Sequence, residues 1–269
     1  MGFCRNCGLD ACLPAFPRGT VGAGDGPEIK TRILAGDLKL MPAIAIFDLD
    51  KTITRAPTWT RFLIFVNRKR PAFLFHLVRI LVQGANYKLG LASRDSVKVV
   101  SLRSLSHLSR KELEAAAEAF IEREVTSGLR PGAVEAIRWH AARGDRLIIA
   151  TASVDLVADK LARALGFHEV IATRLDWSSE EDNPAPRLLG ANCYGAEKLR
   201  RIEAHGIERS SFAYSDHVSD LDMLLNSDHG IAVNPSSGLR KAARERNLTI
   251  ADLNLPEIGF LSDKVNASK

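Results

Sequence analysis

The sequence predicts an α/β fold with a Rossmann-like parallel sheet, helices on both faces and an inserted helical cap. Three observations carry that expectation. Short apolar runs of strand length alternate with amphipathic segments of helix length, which is the order a parallel sheet requires. Two of the runs, residues 44–47 and 211–214, pass directly into carboxylates, Asp48-Leu49-Asp50 and Ser215-Asp216. Between the first and second runs, residues 55–128 read helical throughout and are too many for an ordinary crossover. With 269 residues, 46% of them hydrophobic and 26% charged, the chain can bury a full core.

Taken in order, residues 1–40 carry Gly19, Gly22, Gly24, Gly26 and Pro27 without sustained periodicity and are expected to form a flexible extension. Cys4, Cys7 and Cys12 supply three soft ligands, but no second pair stands at a zinc-ribbon spacing, so a zinc site is not the favoured reading. Met41 directly precedes the first convincing strand and is an alternative translation start. No apolar stretch follows a basic start, so no signal peptide is expected, and the protein is read as cytoplasmic. The catalytic core is expected over residues 41–54 and 129–269, with residues 55–128 as the cap.

Within the cap, Pro57 or Thr58 opens one helix, and Pro71 suits the first position of a second that ends by Gly84. Ser93 starts a third, and Ser109 with Glu112 forms a capping box for a fourth that runs to Gly128. Beyond it, Pro131 begins a helix that stops at Gly144, followed by a strand over residues 146–151 and a helix over 153–165 closed by Gly166. A short strand over 170–172, a helical segment after Gly195, strands at 211–214 and 230–233, and a last edge strand within 248–253 complete the pattern.

Lys and Arg number 37 against 32 Asp and Glu, a formal net charge of +5 that is too mild to imply nucleic acid. The distribution is uneven. From Arg55 to Arg110 there are eleven basic residues (Arg55, Arg61, Arg68, Lys69, Arg70, Arg79, Lys88, Arg94, Lys98, Arg103 and Arg110) against the single acid Asp95. A solvated face, capture of an anionic substrate and peripheral contact with an anionic membrane each account for that excess. The second cap helix has only His76, Arg79 and Gln83 as polar residues, on one narrow face, so it must be buried, meet another chain or touch lipid. No uninterrupted apolar run is long enough to span a bilayer, because Asn67-Arg68-Lys69-Arg70-Pro71 divides the longest candidate.

Asp48 and Asp50 stand two apart at a strand end, so in extended backbone both carboxylates face one reaction centre. A carboxylate attacks phosphorus when a divalent cation screens the charge of both partners, and a second carboxyl can then pass a proton to the leaving oxygen. Asp216 and Asp220 follow another strand and supply the oxygen ligands that Mg²⁺ prefers. Thr151 ends a third strand, where its hydroxyl and the Ala152 amide can bind phosphoryl oxygens, and Lys198 can neutralise the charge that grows during transfer.

These residues resemble the haloacid dehalogenase-like superfamily over residues 43–253. Phe47-Asp48-Leu49-Asp50-Lys51-Thr52 is similar to its first motif, Ile149-Ala150-Thr151 to its second, Lys198 to its third and Ser215-Asp216-His217-Val218-Ser219-Asp220 to its fourth. The helical insert resembles the small C1 cap of the phosphoserine-phosphatase-like branch, subfamily IB. The resemblance implies Asp48 as the nucleophile that forms an aspartyl-phosphate and Asp50 as general acid and base. It further implies Mg²⁺ held by the Asp48 side chain, the Asp50 backbone carbonyl and Asp216 with help from Asp220, and a phosphoryl group bound by Thr151, Ala152 and Lys198.

The expected activity is hydrolysis of a small-molecule or lipid phosphate ester, the alternative being a non-catalytic binding or membrane-associated scaffold. Phosphoserine enzymes carry, nine residues after the nucleophile, a glutamate that meets the substrate ammonium; here that position is Pro57, which points away from phosphoserine. His217 replaces a small residue and is read as a spectator. Asp50-Lys51-Thr52-Ile53-Thr54 also resembles the phosphorylation sequence of P-type ion pumps, which would move the nucleophile to Asp50, but the strand running into Asp48 favours Asp48.

Overall fold

The computed structural model describes residues 42–177 and 186–261. The extension over residues 1–40, its three cysteines and Met41 lie outside them. The first strand, β1 (Ile44–Phe47), is apolar and enclosed, as a central parallel strand must be. Four helices of the insert follow: α1 (Thr58–Asn67), α2 (Phe73–Lys88), α3 (Arg94–Leu102) and α4 (Arg110–Ser127). The chain then alternates through α5 (Pro131–Ala142), β2 (Arg146–Val154), α6 (Asp155–Ala164), β3 (Glu169–Asp176), β4 (Arg187–Leu189), α7 (Ala196–Ala204) and β5 (Ser210–Ser215). The last elements are α8 (Leu221–Leu225), β6 (Ser227–Val233), α9 (Ser237–Glu245) and β7 (Thr249–Ala251).

The strands form one sheet in the order β4-β3-β2-β1-β5-β6-β7. Every neighbouring pair is parallel except β3 with β4. The order reverses direction at β1, so β1 and its neighbours β2 and β5 open the crevice in which such sheets bind ligands. Side chains alternate across the sheet: Phe47, Ile149 and Tyr214 pack into one layer, Ile46, Ile148 and Ala213 into the other. Phe47 stacks on Tyr214 with ring centroids 4.1 Å apart. Below them, buried His140 bridges Asp145 (2.7 Å) and the Tyr214 hydroxyl (2.8 Å), which satisfies polar groups that would otherwise be stranded in the core.

The insert leaves and re-enters the core side by side. Thr54 bridges Leu129, Arg55 N–H donates to the Gly128 carbonyl at 2.8 Å, and Arg130 N–H donates to the Ile53 carbonyl at 2.9 Å. Gly128 is needed at that crossing, because a β-carbon there would fall 2.2 Å from the Glu124 carboxylate. The insert's Trp59, Phe62 and Leu63 of α1 join Leu102, Leu105, Leu113 and Phe120 in an apolar cluster continuous with Phe47 and Ile149 of the sheet. The capping box at Ser109 and Glu112 forms as expected.

Several expectations need correction. The strand expected over 146–151 runs to Val154, so the helix expected from Ser153 begins at Asp155. The second insert helix begins at Phe73 rather than at Pro71, since Pro71 and Ala72 are spent on a turn in which Phe73 N–H reaches the Arg70 carbonyl. It also runs through Gly84 to Lys88, because an interior glycine costs only about 1 kcal/mol in a helix. The stop falls at Gly90, whose φ of 74° provides the left-handed turn. Strand β4, short and antiparallel at the sheet edge, was not expected from the sequence, for three residues are too few to show a period.

Candidate active site

β1 ends against β2 and β5, with Phe47 opposite Ile149 and Tyr214. That register brings Asp48, Thr151 and Asp216 to one edge of the sheet. Asp48 N–H donates to the Tyr214 carbonyl at 2.9 Å, the last tie before the chain turns away from the strand. The following residues, Leu49–Ile53, wind through an irregular turn in which Asp50 stays extended and Lys51 takes a φ of 62°. Arg130 holds this strained residue by donating to its carbonyl at 3.0 Å.

The two aspartates are held by different partners. Asp48 Oδ1 accepts from Lys198 Nζ at 2.8 Å, and its Oδ2 accepts from the Thr52 hydroxyl at 3.2 Å. Asp50 Oδ1 accepts from the backbone N–H of Thr58 at 2.8 Å and from its hydroxyl at 2.7 Å. With its proton committed to Asp50, Thr58 accepts in turn from the Ser153 hydroxyl at 2.9 Å. The first residue of α1 thus orients Asp50, and Ser153 of β2 bonds that residue in turn.

Lys198, near the start of α7, is buried and lies between two carboxylates, Asp48 at 2.8 Å and Asp220 at 2.7 Å. Asp220 is itself fixed by the Ser215 hydroxyl at 2.7 Å. Burial by itself would discharge the lysine, but Asp220 and Asp48 outweigh it and hold the ammonium charged well above the usual lysine range. Burial likewise pushes the Asp48 carboxyl up to about 7, with Lys198 opposing the rise and Asp220 adding to it. Thr151 is buried and accepts from the Ser153 N–H at 3.0 Å. β2 bulges between Thr151 and Val154, which swings Ala152 and Ser153 out of register toward the site.

Asp216 sits beside this row, and burial raises its carboxyl to about 6, with Lys51 lowering it and Asp220 raising it. Among the described residues no three His, Cys, Asp or Glu side chains gather into a metal cage of their own. The donor set nevertheless suits Mg²⁺, which keeps several waters and takes only one or two protein carboxylates plus substrate phosphate oxygens. Asp48 and Asp216 are nearly buried carboxylates destabilised in their charged forms, and that is the imbalance a divalent cation relieves. His217 caps the turn after Asp216: its Nδ1 accepts from the Ser219 N–H at 3.2 Å.

Three contributors escaped the sequence reading. The sequence presents Thr58 only as a helix opener and Ser153 only as a helix start, whereas Ser153 lies in β2. Lys98 was counted only as part of the insert's basic excess, yet it reaches across from α3 to hydrogen-bond the Ala152 carbonyl and, at 3.3 Å, the Asn192 side chain. Burial lowers its ammonium to about 8, with Asp50 opposing the fall. Asn192 is shared with Thr173, whose hydroxyl donates to it at 2.7 Å. At the bulge in β2, Ser153 meets Thr58 and the Ala152 carbonyl meets both Lys98 and the Thr173 hydroxyl.

The profile of the haloacid dehalogenase-like hydrolase family matches residues 45–225. The protein CicA of Caulobacter vibrioides is 32% identical over 201 residues, covering 74% of this chain and 89% of its own length. A probable phosphatase of Mycobacterium tuberculosis is 28% identical over 229 residues, covering 79% and 76%. Among solved structures, a Bordetella pertussis protein of unknown function superposes with a TM-score of 0.68 at 28% identity, covering 78% of this chain and 98% of that one. A substrate-bound phosphoserine phosphatase shares the fold alone, with a TM-score of 0.56 at 16% identity over 83% of this chain and 98% of that one.

Proposed function

Because this chain belongs to the haloacid dehalogenase-like hydrolase family, we propose that it is a Mg²⁺-dependent phosphomonoesterase that works through an aspartyl-phosphate on Asp48. The observation that carries this reading is the buried row Asp48, Lys198, Asp220 at the carboxyl edge of the sheet, with Asp50 on a separate support two residues away. The probable phosphatase among its relatives supports the same reaction class.

An Asp48 oxygen forms the new bond to phosphorus as the bond from phosphorus to the ester oxygen breaks. Asp50, protonated and aimed by Thr58, gives its proton to the departing alkoxide. As a carboxylate, Asp50 then takes a proton from the water that attacks the phosphorus of the aspartyl-phosphate, and Asp48 is released with inorganic phosphate. Lys198 sits against the reacting carboxylate, where its charge offsets the negative charge that builds on the phosphoryl oxygens. The Thr151 hydroxyl and the Ala152 amide are the donors assigned to those oxygens. Asp48, the Asp50 carbonyl and Asp216 would hold Mg²⁺, with Asp220 keeping Lys198 in place beside them. When bound, the ion screens the repulsion between the anionic ester and the attacking carboxylate.

The assignment of Asp48 rather than Asp50 as nucleophile rests on the lysine, which contacts only the former of the two. The substrate is read as a phosphate ester other than phosphoserine, because Pro57 offers no charge to an ammonium and Lys98 and Lys51 add cations at the same edge. The insert, residues 55–128, acts as the cap that supplies Lys98 and Thr58. Phosphate release over a panel of phospho-amino acids, sugar phosphates and lysophosphatidate tests the proposal, with Asp48→Asn as the blank. Mg²⁺-dependent turnover of at least one ester is expected, lost in Asp48→Asn. A beryllofluoride adduct should form in Asp50→Asn and not in Asp48→Asn; the opposite pattern overturns the assignment.

A further inference from the structure

Helix α2 is apolar on both sides, with Phe73, Leu77 and Ile80 half-buried and Phe73 and Ile80 packed against the core. Its polar residues His76 and Gln83 lie on the half-buried side, where Gln83 Nε2 donates to the Ser96 hydroxyl of α3 at 2.8 Å. Five further large apolar residues face outward: Leu74, Phe75, Val78, Leu81 and Val82 are each more than half exposed, from 52% for Val78 to 68% for Leu74. Their spacing of three and four residues joins them into one stripe along the helix. Leu89 and Leu91, in the turn that follows, are more exposed still, at 72% and 76%. A helix of this kind on a soluble surface is unusual enough to mark an interaction site.

The charge around the stripe identifies what it meets. Arg68, Lys69 and Arg70 stand exposed just before the helix, Arg79 lies within it and Lys88 ends it. No Asp or Glu occurs from Lys51 to Arg94, and among the described residues none of these cations forms an ion pair. A second copy of the chain seated on this face would bring the same cations against one another, which disfavours self-association. An anionic lipid surface offers both complements at once: headgroup charge for the rim and acyl chains for the stripe. Among the described residues no helix is long and apolar enough to cross a membrane. At 16 residues α2 extends about 24 Å, short of the hydrocarbon thickness, so it fits flat in the interface. Exposed Tyr87 at its end suits the headgroup level.

We infer that α2 and its basic flanks form a docking surface for anionic bilayers. The inference is independent of the catalytic assignment, since none of these residues belongs to the site described above. α3 carries the consequence inward, for it packs against α2 and delivers Lys98 to the site.

Flotation of the full chain with vesicles of phosphatidylcholine alone, and of phosphatidylcholine with phosphatidylglycerol, tests the inference. Binding to the anionic vesicles and little to the neutral ones is expected. Replacing Arg68, Lys69 and Arg70 together by Gln should weaken binding on the order of a hundredfold, at roughly fivefold per basic residue. Phe75→Ala with Leu81→Ala should weaken it at least about tenfold, the expectation for withdrawing two large apolar side chains from lipid. Both variants alter exposed side chains, and their circular dichroism and hydrolysis of a soluble ester should be unchanged. Absence of binding to anionic vesicles overturns the inference, as does binding that the apolar pair leaves intact. Sedimentation equilibrium should give a monomer without lipid; a dimer lost in the Phe75→Ala, Leu81→Ala variant would assign the stripe to a second copy and also overturn it.

Discussion

Replacing Lys198 by Met tests whether the buried row at the end of β1 is held together as argued. Methionine keeps most of the volume and stem of lysine while removing the ammonium that bridges Asp48 at 2.8 Å and Asp220 at 2.7 Å. Those two carboxylates would then face each other in a buried site with no compensating charge. Breaking a buried ion pair from one side costs about 3–5 kcal/mol, chiefly because the stranded partner stays desolvated. The loss should depend on pH. Burial already raises Asp48 to about 7 against the pull of Lys198, and without the lysine it rises further, so Asp48 enters acid solution carrying a proton. A group whose folded pKa is raised favours the fold below its unfolded value and loses that contribution as pH rises through the folded one. Lys198→Met should therefore lose clearly more near pH 8 than near pH 5. Urea unfolding followed by tryptophan fluorescence measures both. An equal loss at the two pH values, or a loss under about 1 kcal/mol at pH 8, would refute the idea that Lys198 compensates buried carboxylate charge. Phosphate release should fall on the order of a hundredfold or more, the usual consequence of removing one group that stabilises transition-state charge.

Thr58→Val keeps the N–H that Asp50 accepts but removes the hydroxyl bond at 2.7 Å; kcat should fall about tenfold or more, while beryllofluoride still adds to Asp48, and an unchanged kcat would mean that Thr58 only opens the helix. Mg²⁺ should raise the melting temperature near pH 8 and barely at pH 5. Asp48 and Asp216 have folded values raised to about 7 and about 6, so the fold without metal loses their contribution as pH rises through that window, and a cation can replace the protons only above it. Differential scanning fluorimetry reads this directly, and an equal shift at both pH values would remove these carboxylates from the metal site.

Much of this site is legible in the sequence because its parts are local. An apolar run ending in Asp48-Leu49-Asp50 must be a buried strand that meets a polar edge, and the same logic places Asp216 at the end of a neighbouring strand, whereas β2 runs on past Thr151 through a bulge to Val154. The capping box at Ser109 and the glycine stops at Gly144 and Gly166 are equally local, set by backbone groups within one turn. What tertiary structure alone decided are the contacts between segments far apart in the chain. Lys198 could be any surface lysine until α7 packs against β2 and β3 and the site buries its charge between Asp48 and Asp220. Ser153 meets its partner at the bulge in β2, and Lys98 acquires a role by reaching that bulge from α3. For α2 the composition was plain but its orientation was not. A helix with apolar residues nearly all round has no preferred side of its own; packing sets it, with Gln83 bonded to Ser96 and Phe73 and Ile80 against the core while Arg79 stays exposed. Periodicity reports which residues share a face; only the packing of other elements determines which face is covered.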